Sequence, residues 1–455
     1  MKKLNSLSKN KFVISTFLLS LSLSTQAYAA IYKVSSGADA DCSDGSCNLQ
    51  AALNSAASSA EDDQINISQG NYIGNFLYKP STGNNGNLTI LGGWNIDFSS
   101  RNSATYKTIL DGNNTGLTLA LNPDIISGTV SVSGDLTVDG LTIKNGTASL
   151  GGGLSAFTNS PGSISILNNI IENNHAEETG GGCVAAVWDF STDNGGNITF
   201  SENIVRGNSV YKDTNTDGEG GGCAFIVSGK TVVTNNLLYN NAVGSSDVLP
   251  AKGRGGGLSF SLVAGQLHLV NNTITQNDSS ANDPTLGSDG GISIVSDDSE
   301  GWQPAEVIIS NNIIFDNTSS SDNGNDMGTR VISSGDITGS SLSIVNNNYH
   351  GYRNSNESSA VIPSLSNNID ENPIFSTSVN SMYHLTDHSP CIDIGLNSAV
   401  NLPDKDLVGN IRIWDGNADG NKIVDMGCYE YGSQQSTQSA FSWNLFLPAI
   451  ITGKK

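Results

Sequence analysis

The sequence predicts an all-β chain, wound as a right-handed parallel β-helix solenoid with an N-terminal cap. Three observations carry this. A nine-residue pattern recurs: an apolar residue, two residues, Asn, two mostly β-branched or aliphatic residues, two variable residues, Asn. It reads Ile166-Leu-Asn-Asn169-Ile-Ile-Glu-Asn-Asn174, then continues from Phe200 to Asn208, Val233 to Asn241, Leu269 to Asn277 and Ile309 to Asn317, with a partial copy ending at Asn347. The first Asn recurs after 34, 33, 36, 40 and 35 residues, and a period of this size marks a solenoid. Second, the copies hold short β-prone runs and no sustained 3.6-residue apolar period, so helices are expected to be scarce. Third, a glycine block closes each copy: Gly151-Gly-Gly153, Gly180-Gly-Gly182, Gly220-Gly-Gly222, Gly255-Gly-Gly257 and Asp289-Gly-Gly291. A propeller blade needs about 40–45 residues and four strands, more strand than these copies hold.

Each part of the repeat has a physical role. Asn tolerates the left-handed backbone that tight corners require. Coils rise by about 4.8 Å, the spacing of paired strands, so equal positions stack. Asn169, Asn203, Asn236, Asn272 and Asn312 should form one ladder, and Asn174, Asn208, Asn241, Asn277 and Asn317 a second. Their amides are expected to bond along the stack, because a buried amide without a partner costs about 1–3 kcal/mol. The residue after each glycine block is Leu154, Cys183, Cys223, Leu258 or Ile292. All are small to medium and apolar, and they are expected to form one inward-facing stack.

Along the chain, residues 1–29 read as a secretory signal. Lys2, Lys3, Lys9 and Lys11 form a basic start, an apolar run follows, and Ala27-Tyr28-Ala29 is a small-residue cleavage site. Residues 30–60 read as a cap, with a first strand, a cysteine loop and one helix-like run at 49–58; a solenoid end needs covering because it exposes strand edges. Residues 61–350 are β-helix coils with Asn ladders, 351–432 closing coils, and 433–455 a tail. The tail ends apolar and then basic, as a sorting or anchoring segment would, or as an extra strand packed on the last coil would. No segment of the mature chain reaches the roughly 20 apolar residues of a membrane helix.

A formal charge of −22 argues against nucleic acid and anionic membranes as partners, since both select basic surfaces. It suits an extracellular protein that binds cations or is kept soluble by charge. Six cysteines fit an oxidising compartment. Cys42 and Cys47 are close in sequence. Cys183 and Cys223 follow equivalent glycine blocks, so stacking would bring their Cα atoms to about 5 Å, within disulfide reach; two buried free thiols would fit the same positions. Cys391 and Cys428 remain as a C-terminal pair.

The glycine block and Asn pattern resemble the repeat of chlamydial polymorphic outer-membrane proteins and related right-handed β-helix proteins. The segments Asn372-Pro-Ile-Phe375, Tyr383-His-Leu385, Ser389-Pro-Cys-Ile-Asp-Ile-Gly395, Asp406-Leu-Val-Gly-Asn-Ile-Arg412 and Val424-Asp-Met-Gly-Cys-Tyr-Glu430 are similar to the C-terminal module of bacterial choice-of-anchor Q surface proteins. The resemblances span nearly the whole mature chain. They imply a secreted or surface-displayed bacterial β-helix in the pectin-lyase-like class, and they carry no catalytic residues across.

Two regions hold candidate chemistry. Asp415, Asn417, Asp419, Asn421 and Asp425 resemble a calcium loop, with oxygen ligands on alternate residues and Gly420 for the turn. Met426 stands where the final acidic ligand is expected. Asp, Asn and Gly are also ordinary turn formers. The loops 176–179, 209–219, 242–254, 278–288 and 318–328 should project from one side of the solenoid, a usual place for solenoid ligands. They carry Glu177, Glu178, Asp213, Asp217, Glu219, Asp247, Asp283, Asp322 and Asp326. Asn215-Thr216-Asp217-Gly218 is similar to one motif of β-helix polygalacturonases, and Asp213, Asp217 and Glu219 are candidate catalytic carboxylates for a glycosidase, which needs a pair about 5–9.5 Å apart. The accompanying Gly-His-Gly and Arg-Ile-Lys motifs are missing. The five histidines show no metal-ligand spacing. The expected function is therefore a secreted or cell-surface β-helix with a non-enzymatic binding, adhesion or cell-envelope role, whose partner is a polysaccharide or envelope component. The alternative is a carbohydrate-active lyase or hydrolase using the acidic loop face.

Overall fold

The computed structural model describes residues 30–434, apart from 44–45, 129–130, 189–194, 212–216, 245–252, 264, 281–288, 298–304, 321–325, 333–340, 355–361 and 380. Among these residues the chain forms the expected right-handed parallel β-helix. Four parallel sheets of twelve, nine, eight and nine strands run along it. One coil crosses them in turn: Ile164–Leu167 in the first sheet, Ile170–Glu172 in the second, His175–Thr179 in the third and Cys183–Trp188 in the fourth.

The single α-helix among the described residues, α1 (Leu49–Ser58), closes the N-terminal end. Asn48 caps it, its side-chain oxygen accepting from Ala51 N at 2.9 Å. Leu49, Ala52, Leu53 and Ala56 are buried in the core. Gln50 bonds both backbone groups of Leu77 in the outermost strand Phe76–Tyr78, at 2.8 and 2.9 Å. The helix thereby satisfies an edge that would otherwise be open. Ile31–Val34 is itself a rung of the first sheet, paired with Asp63–Ser68. Cys42 and Cys47 are bonded beside it.

Both Asn ladders form. Asn203 is fully buried. Its Oδ1 accepts from the backbone N and the Nδ2 of Asn169, at 3.0 and 3.2 Å. Its Nδ2 donates to Ile166 O and to Asn236 Oδ1, at 2.8 and 3.1 Å. The first ladder runs on through Asn272, Asn312 and Asn347 to Asn368. The second runs from Asn174 to Asn317 and ends on Asp326, whose Oδ1 takes both N–H groups of Asn317 at 2.9 Å.

The structure corrects the corner chemistry. The left-handed residue is the one before each ladder Asn: Asn168, Glu202, Asn235, Asn271, Asn311 and Asn346 have φ between 53° and 60°. The ladder Asn turns inward, and its predecessor turns the chain. At the glycine corner, Gly220 has φ +65°, and a Cβ on Gly221 would lie 2.5 Å from Gly256 O of the next coil. Only glycine fits that close approach.

Leu154, Cys183, Cys223, Leu258, Ile292 and Met327 pair in register in the fourth sheet and are fully buried, as expected of the inward stack. Each buried Leu or Ile contributes about 1.5–3 kcal/mol relative to exposure. Cys183 and Cys223 are bonded, with Cα atoms 4.6 Å apart. Beside them Phe225 lies between Phe200 and Phe260, with ring centroids 5.2 and 5.4 Å away.

Two expectations for the C-terminal part do not hold. Residues 351–432 are not closing coils throughout. Coil strands end with Tyr352–Asn354 and Ser364–Ser366. From about residue 372 the chain folds back along the flank of the solenoid, with one short hairpin, Ile413–Trp414 against Ile423–Val424. The reason lies in the corner residues. Asn235 Nδ2 donates to Lys405 O at 2.6 Å, Asn271 Nδ2 to Asp425 O and Gly427 O at 2.8 and 3.1 Å, Asn311 Nδ2 to Leu396 O at 3.2 Å, and Asn346 Nδ2 to Ile394 O at 2.9 Å. The outward members of four Asn-Asn doublets thus form a rail that holds the backbone of the module.

Nor are Cys391 and Cys428 bonded; both are free and buried. Cys391 packs with Ile313 and receives a hydrogen bond from Asn348 Nδ2 at 3.1 Å. Cys428 packs with Leu237. Cys428 N donates to Thr273 Oγ1 at 3.0 Å, one rung from Ile313, so the two thiols pack against neighbouring rungs of the flank, and each is buried there as a small apolar group.

The module is held together by buried polar groups drawn from its own motifs. Arg412 and Glu430 are 0% and 1% exposed and lie 3.4 Å apart. The Arg412 guanidinium also donates to Asn235 Oδ1 on the rail. Asp406 accepts from Asn410 N and Glu430 N, at 2.7 and 3.1 Å. Asp425 accepts from Asp393 N and Tyr431 N, at 2.8 and 2.6 Å. Among the described residues no helix is long and apolar enough to cross a membrane.

Candidate functional site

The rail is interrupted at one corner. Where later coils present Asn235, Asn271, Asn311 and Asn346, the coil before them presents Glu202. A carboxylate has no N–H to offer a carbonyl. Over this coil the module arches away, and a cleft of about 470 Å³ opens between it and the flank. This volume falls in the usual range for ligand sites, about 300–1,000 Å³.

Leu141, Ile170 and Ile204 form the floor, and Leu407, Val408 and Tyr429 the opposite wall. Tyr429 is fixed by the His384 ring stacked on it, with centroids 3.8 Å apart. Ser103, Lys107, Thr142 and Asn168 add polar groups. Asn168 Nδ2 donates to Asp139 Oδ1 at 3.2 Å, and Asp139 is paired with Arg101 at 2.9 Å. Glu202 is half-buried and, among the described residues, no donor hydrogen-bonds its carboxylate. Burial pushes its carboxyl above the usual range, the charges of Asp139 and Asp406 push it further, and Lys405 partly offsets them. Sequence reasoning missed Glu202. The signal was there in Ser201-Glu202-Asn203, where the other late copies read Asn-Asn.

The loop face is arranged as expected, and among its described carboxylates Glu219 and Asp326 are already engaged. Ser209–Val210 and Gly218–Glu219 both join the third sheet beside His175–Thr179, so the chain between them is an insertion at one fixed point of the coil. Glu219 lies opposite Arg254 and bonds it at 2.7 Å. Asp217 is exposed. Asp213 lies outside the described residues, as do Asp247, Asp283 and Asp322. Asp326 belongs to the interior, as the end of the second ladder. Asp289, in place of a block glycine, is buried and paired with Arg353 at 2.6 Å.

The 415–421 segment is a tightly bonded turn. Asp415 accepts from Asp419 N and Gly420 N, each at 3.1 Å. Asn417 Oδ1 accepts from Asp419 N at 2.9 Å, and Asp419 Oδ1 from Asn421 N at 2.7 Å. Asp393 carries the turn from below, accepting from Gly416 N and Asn417 N at 3.2 and 2.7 Å. Asp425 departs from the expected ligand set. It is fully buried, and both oxygens are committed to the backbone bonds given above. Among the described residues no three His, Cys, Asp or Glu side chains cluster as a metal site.

Fold and site together define a parallel β-helix protein with a C-terminal module strapped along one flank. No family model and no curated protein matches the sequence. Among solved structures the chain is similar to the crystal structure of pectate lyase Pel9A, at 12% identity and a TM-score of 0.44, over 89% of this chain and 97% of that one. At this identity and score the likeness carries no residue and no activity across.

Proposed function

We propose that this protein is a non-enzymatic binding β-helix, exported to the cell surface or the medium of a bacterium, that takes a polysaccharide or another cell-envelope component in the flank cleft. The observation that carries this is the cleft itself: a concave, mostly apolar space with one carboxylate, Glu202, that has no donor among the described residues. Such a combination of apolar walls and a few convergent polar groups is the usual form of a ligand site. On the loop face, by contrast, Glu219 already has Arg254. The 1–29 segment supplies the export route. The turn at Asp415, Asn417, Asp419 and Asn421 is proposed as a weak calcium site. It sits on the module that forms one wall of the cleft.

The test is a binding panel of cell-wall and extracellular polysaccharides, run beside an assay for released reducing ends and unsaturated products. Binding without product is expected. Product release that disappears in Asp217→Ala would instead establish the carbohydrate-active alternative on the loop face.

A further inference from the structure

Resting on the binding role proposed above, we infer that the cleft selects a carbohydrate carrying a free amino group, with the ammonium set against Glu202 and a sugar ring against the apolar wall. Three features of the cleft lead there.

The first is the uncompensated charge. Every other carboxylate around the cleft already has donors or a cation. Asp139 has Arg101 and Asn168. Asp406 is buried under the backbone N–H groups of Asn410 and Glu430. Among the described residues no donor hydrogen-bonds the half-buried Glu202 carboxylate, and the charge of Lys405 only partly offsets those of Asp139 and Asp406. A carboxylate removed from water is costly until a cation or several donors reach it. An ammonium supplies both a full charge and three N–H groups.

The second is the wall chemistry. Leu407 and Val408 face Ile170 and Ile204 across the cleft, with the Tyr429 ring beside them. This suits the C–H face of a pyranose. Thr142 and Asn168 add hydroxyl and amide groups for ring hydroxyls. A simple inorganic cation would leave the apolar wall unused.

The third is the long-range field. The chain carries a formal charge of −22, which draws cationic ligands and repels uronic-acid polymers. Lys107 lies on the cleft lining and repels an ammonium, which places the ligand's amine at the Glu202 end of the cleft.

The test uses the full mature protein at physiological ionic strength with short oligosaccharides: glucosamine tetramer, its N-acetylated counterpart and a neutral glucose tetramer, followed by calorimetry. The glucosamine tetramer should bind at least tenfold more tightly than the other two. Glu202→Gln keeps the shape, and among the described residues no hydrogen bond is made by the native side chain, so the fold should be retained. It should weaken the amine ligand at least tenfold and bring all three to similar affinity. Thr142→Trp, which fills the cleft, should abolish binding. Asp39→Asn, an exposed carboxylate of the N-terminal cap that does not line the cleft, removes the same charge and should change nothing, which shows that the Glu202→Gln effect is local. Equal affinity for amine and N-acetyl tetramers, or an unchanged Glu202→Gln, would overturn the inference. If some other polysaccharide of the panel binds and these do not, the amine selectivity falls while the binding role stands. If nothing binds, both fall.

Discussion

A ladder asparagine uses its whole hydrogen-bonding inventory. Asn236 accepts from Asn203 N and Nδ2, at 2.9 and 3.1 Å, and donates to Phe200 O and Asn272 Oδ1, each at 2.9 Å. Asn236→Ala strands two buried donors on Asn203, and each orphan costs about 1–3 kcal/mol. A loss of about 3 kcal/mol is expected, read as a lower midpoint in urea. The end of the second ladder poses a different problem. Asp326 ends the second stack and also accepts from His350 N at 2.7 Å. Burial pushes its carboxyl up to about 7, with the His350 and Asn317 interactions pulling the other way. Since an unfolded Asp titrates near 4, the native chain holds an extra proton between about pH 4 and 7. Stability from this group is therefore full below that window and is lost as pH rises through it. Asp425 shifts in the same direction, also to about 7, again chiefly by burial. Urea midpoints should fall from pH 4 to pH 7, and Asp326→Asn should flatten part of that slope. An unchanged slope would mean that Asp326 is ionised throughout.

At the level of elements, the module is held by repeated single bonds from different coils. Asn271 alone donates to two module carbonyls. Asn271→Ala should release the module locally. Hydrogen exchange should quicken across residues 423–428 while the coil amides keep their protection, because the inward ladder at Asn272 is untouched. Uniform loss of protection would show that module and coils unfold as one unit. The cysteines give an independent check of the same geometry. Non-reduced peptide mapping should return Cys42 joined to Cys47 and Cys183 joined to Cys223, while Cys391 and Cys428 should alkylate only after unfolding, since both are buried. A peptide linking Cys391 to Cys428 would mean that the module is folded differently from the arrangement described. The rail was hidden in the sequence by its own regularity. In Asn235-Asn236, Asn271-Asn272, Asn311-Asn312 and Asn346-Asn347 both residues look alike, yet one faces the core and the other the module. Repeat period determines which positions stack, but not which of two adjacent asparagines turns outward; that follows from the left-handed corner.

Across the whole molecule, what was legible followed from nearest-neighbour repetition. Each coil contacts the next at the same positions, so period, ladder and inward stack could be read from Asn169 to Asn347, and the cap helix from its composition. The module follows no period, and its contacts join residues more than 150 positions apart, as from Asn271 to Asp425. Glu202 became a site only once that long-range contact put Leu407 and Tyr429 above it. The proposed calcium turn belongs to this same long-range part, and the whole chain's charge complicates its test. With a formal charge of −22, any salt should raise the melting temperature by screening self-repulsion. Calcium must therefore be compared with sodium and magnesium at equal ionic strength. A site on the folded state adds stabilisation by mass action beyond screening. With Asp425 committed to the interior, Asp415, Asn417, Asp419 and Asn421 are left as side-chain ligands, so affinity on the order of 10⁻⁴–10⁻³ M is expected, as in extracellular modules. Millimolar calcium should raise the melting temperature above matched sodium and magnesium controls. The excess should vanish in Asp415→Ala combined with Asp419→Ala and persist in Asp425→Asn, once allowance is made for that variant's own change in stability. If the three salts give superimposable melts, the segment is a turn without a metal function.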